Sequence, residues 1–324
     1  MVFRKRLPQF NSIEEIFLNL YKELQKKTTI NKIEVPESGA ALGSMFRNLR
    51  FTRSHRAGIT HITGHVNYIS LAAGRKTILT VHDSGSALYG NPIHRLFKKI
   101  LWFWLPALFV KKITVVSGFS KKELSKLIPF AKKKIAVIHN PVNSILEYRP
   151  KSFLNDKPLI LQIGTKSNKN LEGTIKALTN IHCTFLIIGE LSKKQMELLE
   201  EYRIDYTNKK HLTFSEIKRA YEECDLVSFI SLYEGFGMPV IEAQAVGRPV
   251  ITSAIEPMLE VAGKGACFVD PECPEDIRTA ILKIIQEKGY RDDLIQKGLE
   301  NVKRFQIEEI AEQYLELYKK LANA

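Results

Sequence analysis

The sequence predicts an α/β protein of two domains, each a parallel sheet covered by helices. Three observations carry that expectation. The length of 324 residues fits two domains at roughly 100 to 200 residues each. Short apolar runs of strand length alternate with amphipathic helix patterns through the second half, and β-α alternation builds a parallel sheet. Turn chemistry from His139 to Asn143, followed by an aperiodic stretch to Lys157, separates two halves of similar kind.

In the first half, Ser12 with Glu15 is a capping-box pair that opens a helix running to about Lys26. Strands are expected at Lys32–Val35, Gly58–Ile62, Thr77–Val81, Lys112–Val116 and Lys134–Ile138. In the second half, apolar runs read as buried strands at Pro158–Ile163, Cys183–Ile188, Leu226–Ser231, Pro249–Thr252 and Ala266–Val269. Helix patterns lie between and after them, at Leu171–Thr179, Lys193–Tyr202, Ser215–Cys224, Pro239–Val246 and Glu275–Glu287. Two more close the chain, the second over Glu308–Leu321. The expected domains are 1–145 and 150–307, with a helix near 308–324 able to pack back on the first.

Composition narrows the class. With 44% hydrophobic and 26% charged residues, the chain is neither disordered, collagenous nor disulfide-dense. Cys183, Cys224, Cys267 and Cys273 lack CxxC spacing, so they read as reduced thiols of a cytoplasmic protein and not as zinc ligands. No apolar run of signal-peptide length follows the basic opening Met1 to Arg6. The most apolar stretch, Ile100–Val110, has 11 residues including Pro106, against roughly 20 needed to span a bilayer.

The net charge of +13 is unevenly held. Residues 1–150 carry 25 Lys and Arg against 8 Asp and Glu, a net +17, and residues 151–324 carry 23 against 27, a net −4. A basic half implies an anionic partner: nucleic acid, a membrane surface or a phosphorylated substrate. No RRM, KH or helix-turn-helix pattern accompanies the basic residues, which disfavours nucleic acid. Lys98-Lys99, the apolar run to Val110, Lys111-Lys112, Lys121-Lys122 and Lys132-Lys133-Lys134 instead form a basic-flanked apolar element suited to anionic lipid headgroups. The alternative is that the apolar run packs a core element.

The segment that carries chemistry is Ser231 to Ile251. Glu234 is expected to end a strand, Gly235-Phe236-Gly237 to make a turn, and Met238-Pro239 to start a helix with proline in its favoured first turn. Backbone N–H groups at such a turn, with the positive end of the helix dipole, suit phosphate. Glu242 lies about one helical turn in. A carboxylate on either side of a bound diphosphate suits a ligand with a hydroxylated ring at each end, as in a nucleotide sugar, although the spacing alone equally describes a plain helix with solvated charges.

This string resembles the E-x7-E signature of retaining glycosyltransferases of family four, through to Gly247-Arg248-Pro249-Val250-Ile251. Leu161-Gln162-Ile163-Gly164-Thr165 through Lys169-Asn170-Leu171 is similar to the family's diphosphate-holding segment. Thr80-Val81-His82-Asp83 resembles its strand-end histidine segment, and Val115-Val116-Ser117 through Leu124 and Ile138 through Val142 resemble two further ones. There are departures. Thr165 stands where the family often has arginine, with Lys166 beside it, Pro141 replaces a usual glycine, and Phe10-Asn11-Ser12 replaces a glycine-rich first loop.

The resemblance implies the GT-B fold, two facing Rossmann-like domains with a cleft between them. It implies transfer of a hexosyl unit from a nucleoside diphosphate sugar to an acceptor hydroxyl with retention, in cell-surface polysaccharide or glycolipid assembly. The acceptor is expected to be a glycan or lipid-linked, and the protein to be cytoplasmic or peripheral at the inner face of the plasma membrane. His82, Glu234 and Lys169 are the implied catalytic residues. Gly164, Thr165, Lys169, Gly235, Phe236, Gly237, Met238 and Glu242 are the implied donor-binding set, and His65 and Asp83 the acceptor-side candidates. The alternative for His65 is a satisfied structural histidine. No D-x-D string occurs, so neither metal nor cofactor is expected. The competing reading is a catalytically silent protein of this fold that binds a nucleotide sugar or nucleic acid. G-x-G-x-x-G and G-x-x-x-x-G-K-[ST] are absent.

Overall fold

The structure is a computed structural model that describes residues 1–5, 12–38, 41–82 and 91–323. Phe10, Asn11 and the acceptor-side candidate Asp83 lie outside the described residues. The chain forms two compact units, Met1–Pro141 with Ile307–Ala324, and Val142–Gln306.

The first unit contains β1 (Val2–Phe3), α1 (Ser12–Gln25), β2 (Ile33–Glu34), α2 (Leu42–Ser54), β3 (Thr60–Ile62), α3 (Ser70–Ala73), β4 (Thr77–Val81), α4 (Pro92–Lys98), α5 (Leu105–Phe109), β5 (Lys112–Val115), α6 (Gly118–Leu127) and β6 (Ile135–Val137). Its six strands run parallel in the order β2-β1-β3-β4-β5-β6. Side chains alternate between the two faces of a strand. Ile62, Leu79, Val81, Ile113 and Val115 point to one core with Met45, Phe103, Ala107 and Leu124. Ile78 points to the other, under Phe17, Leu20 and Leu24 of α1 and the chain's final helix.

The apolar run at Ile100–Val110 is helical, the π-helical turn Lys99–Trp104 leading into α5. It does not span a membrane, and no helix of the described residues is long and apolar enough to do so. Phe103, Pro106 and Ala107 are buried, while Trp104, Leu108 and Phe109 stand exposed. The core reading of this run therefore holds for one of its faces, and the other face is exposed.

The second unit contains β7 (Leu159–Ile163), α7 (Leu171–Ala177), β8 (Thr184–Ile188), α8 (Lys193–Glu201), β9 (Tyr206–Lys209), α9 (Phe214–Glu223), β10 (Leu226–Phe229), α10 (Met238–Val246), β11 (Val250–Ser253), α11 (Met258–Ala262), β12 (Cys267–Val269), α12 (Pro274–Gln286) and α13 (Lys288–Val302). Its parallel sheet has the order β12-β11-β10-β7-β8-β9, the doubly wound arrangement. Strand order reverses between β7 and β10, and open sheets of this kind bind ligands beyond the carboxyl ends of the strands at that point.

The final helix, α14 (Ile307–Ala322), buries Ile307, Ile310, Ala311, Tyr314, Leu317 and Leu321 at helical spacing. It belongs to the first unit. His61, Thr80 and Thr114 share the sheet face beneath it, polar positions that a purely apolar helix would strand. Tyr318 Oη lies 2.6 Å from His61 Nδ1, His61 Nε2 lies 2.7 Å from Thr80 Oγ1, and Thr80 and Thr114 hydroxyls are 2.7 Å apart. Buried polar groups are tolerated when they are bonded in this way.

Candidate functional site

In the second unit, the loops after β7 and β10 meet at the reversal point. The first begins at Gly164, whose N–H donates to Ile188 O at 2.8 Å. Its φ of +96° suits glycine, and a Cβ there would lie 3.0 Å from Lys169 Cγ. Gly164 thus lets the Lys169 stem pass over the backbone. Buried Gln162 holds the loop from below, donating to Lys169 O at 3.1 Å. The Thr165 hydroxyl donates to Glu190 O, and Thr165 O accepts from Gln195 Nε2 at 2.8 Å. Thr165 is therefore tied to the loop after β8. Lys166 is exposed.

The second loop differs in one respect from the sequence reading. Glu234 does not end a strand: β10 stops at Phe229, the last residue in register with β11. Ile230 and Ser231 remain wholly buried, which gives the run a strand-like pattern. Ser231 O, however, is capped by the Ser253 hydroxyl at 2.6 Å and not by the sheet ladder. The backbone then turns back, Leu232 N–H donates to Asn168 O at 2.8 Å, and Asn168 Nδ2 donates to Tyr233 O at 3.1 Å. These two bonds set Glu234 against Lys169, with Nζ 2.5 Å from Oε1. Asn168 Nδ2 reaches the same carboxylate oxygen at 3.4 Å. The Lys169 ammonium also lies 4.6 Å from the centroid of the Phe229 ring, where the ring quadrupole attracts it.

Phe236 is buried edge-on against Phe305 at 5.7 Å between centroids. Gly237 (φ +104°) is the N-cap of α10, and a Cβ there would collide with Met258 Cε at 2.6 Å. The positive φ favours glycine here, and the end of the Met258 side chain would have to shift for any other residue. Glu242 is the sole charged residue of α10. It is half-buried, and Tyr221 donates its hydroxyl to Oε2 at 2.7 Å. Burial raises the Glu242 pKa above the usual glutamate value, and the Tyr221 bond opposes that shift.

The first unit brings two other candidates together. His82 follows β4, is buried, and sits 6.0 Å from the His65 ring between centroids. Thr63 O, which can only accept, lies 2.9 Å from His82 Nε2, so the proton is on Nε2 and Nδ1 is a bare acceptor. No partner reaches Nδ1 among the described residues. Burial, with His65 and Arg4 nearby, holds the imidazole pKa at about 3, against the opposing pull of the Thr63 bond. His82 is a neutral hydrogen-bond acceptor at physiological pH. Among the described residues, no group of three or more His, Cys, Asp and Glu is placed to hold a metal ion.

Sequence reasoning did not reach Asn168 or Tyr221. Asn168 lies inside a segment already singled out, next to Lys169, but its partners are in the other loop. Tyr221 belongs to a separate helix, and nothing local to Glu242 announces it.

Residues 144–301 match the family model described as Glycosyl transferases group 1, and residues 23–144 match Glycosyltransferase Family 4. The chain belongs to glycosyltransferase family 4. Among the relatives of this family 4 chain is the O-antigen chain mannosyltransferase RfbU of Salmonella typhimurium, 29% identical over 65% of this chain and 62% of that one. Another is the O-antigen chain mannosyltransferase B of Escherichia coli, 26% identical over 65% of this chain and 61% of that one. The chain thus spans about six tenths of the length of these relatives. Its fold is GT-B. Anabaena HepE in complex with UDP and glucose superposes with a TM-score of 0.80 at 15% identity, covering 98% of this chain and 99% of that one.

Proposed function

We propose that the chain is a retaining glycosyltransferase that moves a hexosyl unit from a nucleoside diphosphate sugar to an acceptor hydroxyl. The observation that carries this reading is the Lys169–Glu234 pair at the strand-order reversal, one cation for a diphosphate beside one carboxylate for sugar hydroxyls. Departure of the diphosphate from an oxocarbenium-like sugar develops negative charge on the leaving group. Lys169, the N–H groups of the Gly235–Met238 turn and the dipole of α10 are the groups assigned to that charge. Glu234 accepts from the sugar hydroxyls and Glu242 from the ribose, and His82 is assigned to a donor-sugar hydroxyl or to the backbone near the reacting carbon. The catalytic step uses no metal, in keeping with the lack of a D-x-D string. A hexose is favoured because the two relatives described above are named as mannosyltransferases.

The acceptor is a surface glycan or its lipid-linked precursor, met at the inner face of the plasma membrane. Supporting this are the net +17 of residues 1–150 and the exposed apolar side chains of α4 and α5 within that stretch.

The test is a transfer and hydrolysis assay against UDP, GDP, dTDP and ADP hexoses, with and without chelator. Turnover of one donor that survives chelator supports the reading. Tight binding without turnover leaves a silent binder, and no binding to any donor overturns the proposal.

A further inference from the structure

Tyr221 is wholly buried in the last turn of α9, yet its hydroxyl emerges at a carboxylate on the neighbouring helix. Glu242 Oε2 takes that bond, and among the described residues nothing bonds to Oε1. The two helices are locked at their ends by Arg248, itself buried. Its Nε donates to Tyr221 O at 3.0 Å and Nη2 to Glu222 O at 2.8 Å, while Nη1 donates to Val246 O at 3.2 Å and Gly247 O at 3.1 Å. One guanidinium therefore ties the closing turn of α9 to the closing turn of α10. That sets the Tyr221 ring against Glu242 with little freedom. A glutamate side chain free in solvent samples several rotamers. Here one oxygen is fixed and the other is presented.

We propose that Tyr221 is a positioning residue for the donor: it holds Glu242 in the one rotamer that aims a carboxylate oxygen at the ribose diol. The inference rests on the assignment of Glu242 to the ribose. It adds that recognition of the diol depends on a residue from a different helix that itself touches no ligand. A carboxylate held by one oxygen accepts ribose hydroxyls at the other more tightly than a mobile one, because the ordering entropy is settled before binding.

The experiment uses the full chain, with Tyr221→Phe, Glu242→Gln and the double variant. Phenylalanine keeps the ring volume and removes only the hydroxyl, so melting temperature reports whether packing survives. Calorimetry is run with UDP, GDP and ADP, and with the 2′,3′-dideoxy counterpart of whichever binds wild type best. Tyr221→Phe is expected to weaken the ribonucleoside diphosphate by roughly tenfold, in the range of a hydrogen bond to a charged group. The dideoxy ligand should change by less than about twofold, and the double variant should bind no worse than Glu242→Gln alone. Equal losses for both ligands, or additive losses in the double variant, mean that Tyr221 is only a packing residue and overturn the proposal. If wild type binds none of the three, or Glu242→Gln leaves affinity unchanged, the assignment of Glu242 to the ribose falls first and the proposal with it.

Discussion

The Lys169 ammonium and the Glu234 carboxylate, 2.5 Å apart, pair with each other across the loops that follow β7 and β10. Both side chains are largely but not wholly buried, 21% and 14% exposed. A diphosphate arriving at this site competes with Glu234 for Lys169. Glu234→Gln removes the competitor and keeps the side-chain shape. A nucleoside diphosphate without its sugar should then bind up to several-fold tighter, a gain of about 1 kcal/mol for a partly exposed pair. Sugar transfer should fall, because the hydroxyl-accepting carboxylate is gone. Lys169→Ala should instead weaken the same ligand by about tenfold or more. Calorimetry on the three proteins checks this, and weaker diphosphate binding by Glu234→Gln would show that the pair does not compete.

Gly164→Ala tests the passage of Lys169 over the backbone. The added Cβ would stand 3.0 Å from Lys169 Cγ at a φ of +96°, a conformation costing an L-residue about 1 to 3 kcal/mol. Melting temperature should drop by a few degrees, and nucleoside diphosphate affinity should drop with it as the lysine stem is displaced. Gly289→Ala is the control. It lies in the first turn of α13 with nothing within 4 Å of its Cβ, and should be neutral or stabilising by about 0.4 to 1 kcal/mol. A Gly164→Ala protein with wild-type affinity would separate the glycine from the lysine.

The sequence made the sheets legible wherever a strand is buried on both faces. The five residues of Thr77–Val81 form β4 as expected, and the other apolar strands shift by one or two residues. Two strands escaped. Residues Val2–Phe3 form β1 between β2 and β3, but two residues hold no period. Tyr206–Lys209 forms β9 at the sheet edge, where polar side chains face solvent and no apolar run marks it. In the candidate site, Lys169, Glu234 and Glu242 stood out because each falls in a string that resembles a motif of the family. Asn168 and Tyr221 were not, because their importance lies in hydrogen bonds to residues 65 and 21 positions away.

His82 should make the protein sensitive to acid. Its pKa in the folded chain is about 3, against an ordinary 6.5, because burial disfavours the imidazolium. Folding therefore favours the neutral ring, so the stability it contributes is complete above pH 6.5 and is lost as pH falls from there toward 3. Over that window the slope is about 1.4 kcal/mol per pH unit for one such group. His82→Gln should flatten the fall in urea midpoint between about pH 6.5 and pH 4. Part of the slope should remain, since His61 is also buried with its pKa well below the usual value. Equal slopes in wild type and variant would mean that the His82 ring accepts its proton in the folded state without cost.

Several of the first unit's exposed apolar side chains lie on α4 and α5. Ile93, Leu96 and Phe97 of α4 and Leu108 and Phe109 of α5 are all exposed. Trp104 packs edge-on against exposed Phe130 at 6.2 Å, and Lys99 Nζ lies 5.1 Å from the centroid of the Trp104 ring. Exposed apolar groups joined in one patch mark an interaction surface, whereas scattered ones do not. Lysines at 98, 99, 111, 121, 122, 132 and 133 belong to the same stretch of chain, and each near an anionic bilayer contributes about 1 kcal/mol. The combination matches apolar insertion assisted by headgroup attraction. The full chain should float with phosphatidylglycerol vesicles at low salt, release as salt rises, and stay unbound with phosphatidylcholine alone. Leu108→Ser with Phe109→Ser should cut that binding by on the order of tenfold or more without lowering the melting temperature, because both side chains already face solvent. Unchanged flotation of this variant would assign the attachment to charge alone, and absence of flotation on anionic vesicles would remove the membrane from the proposed function.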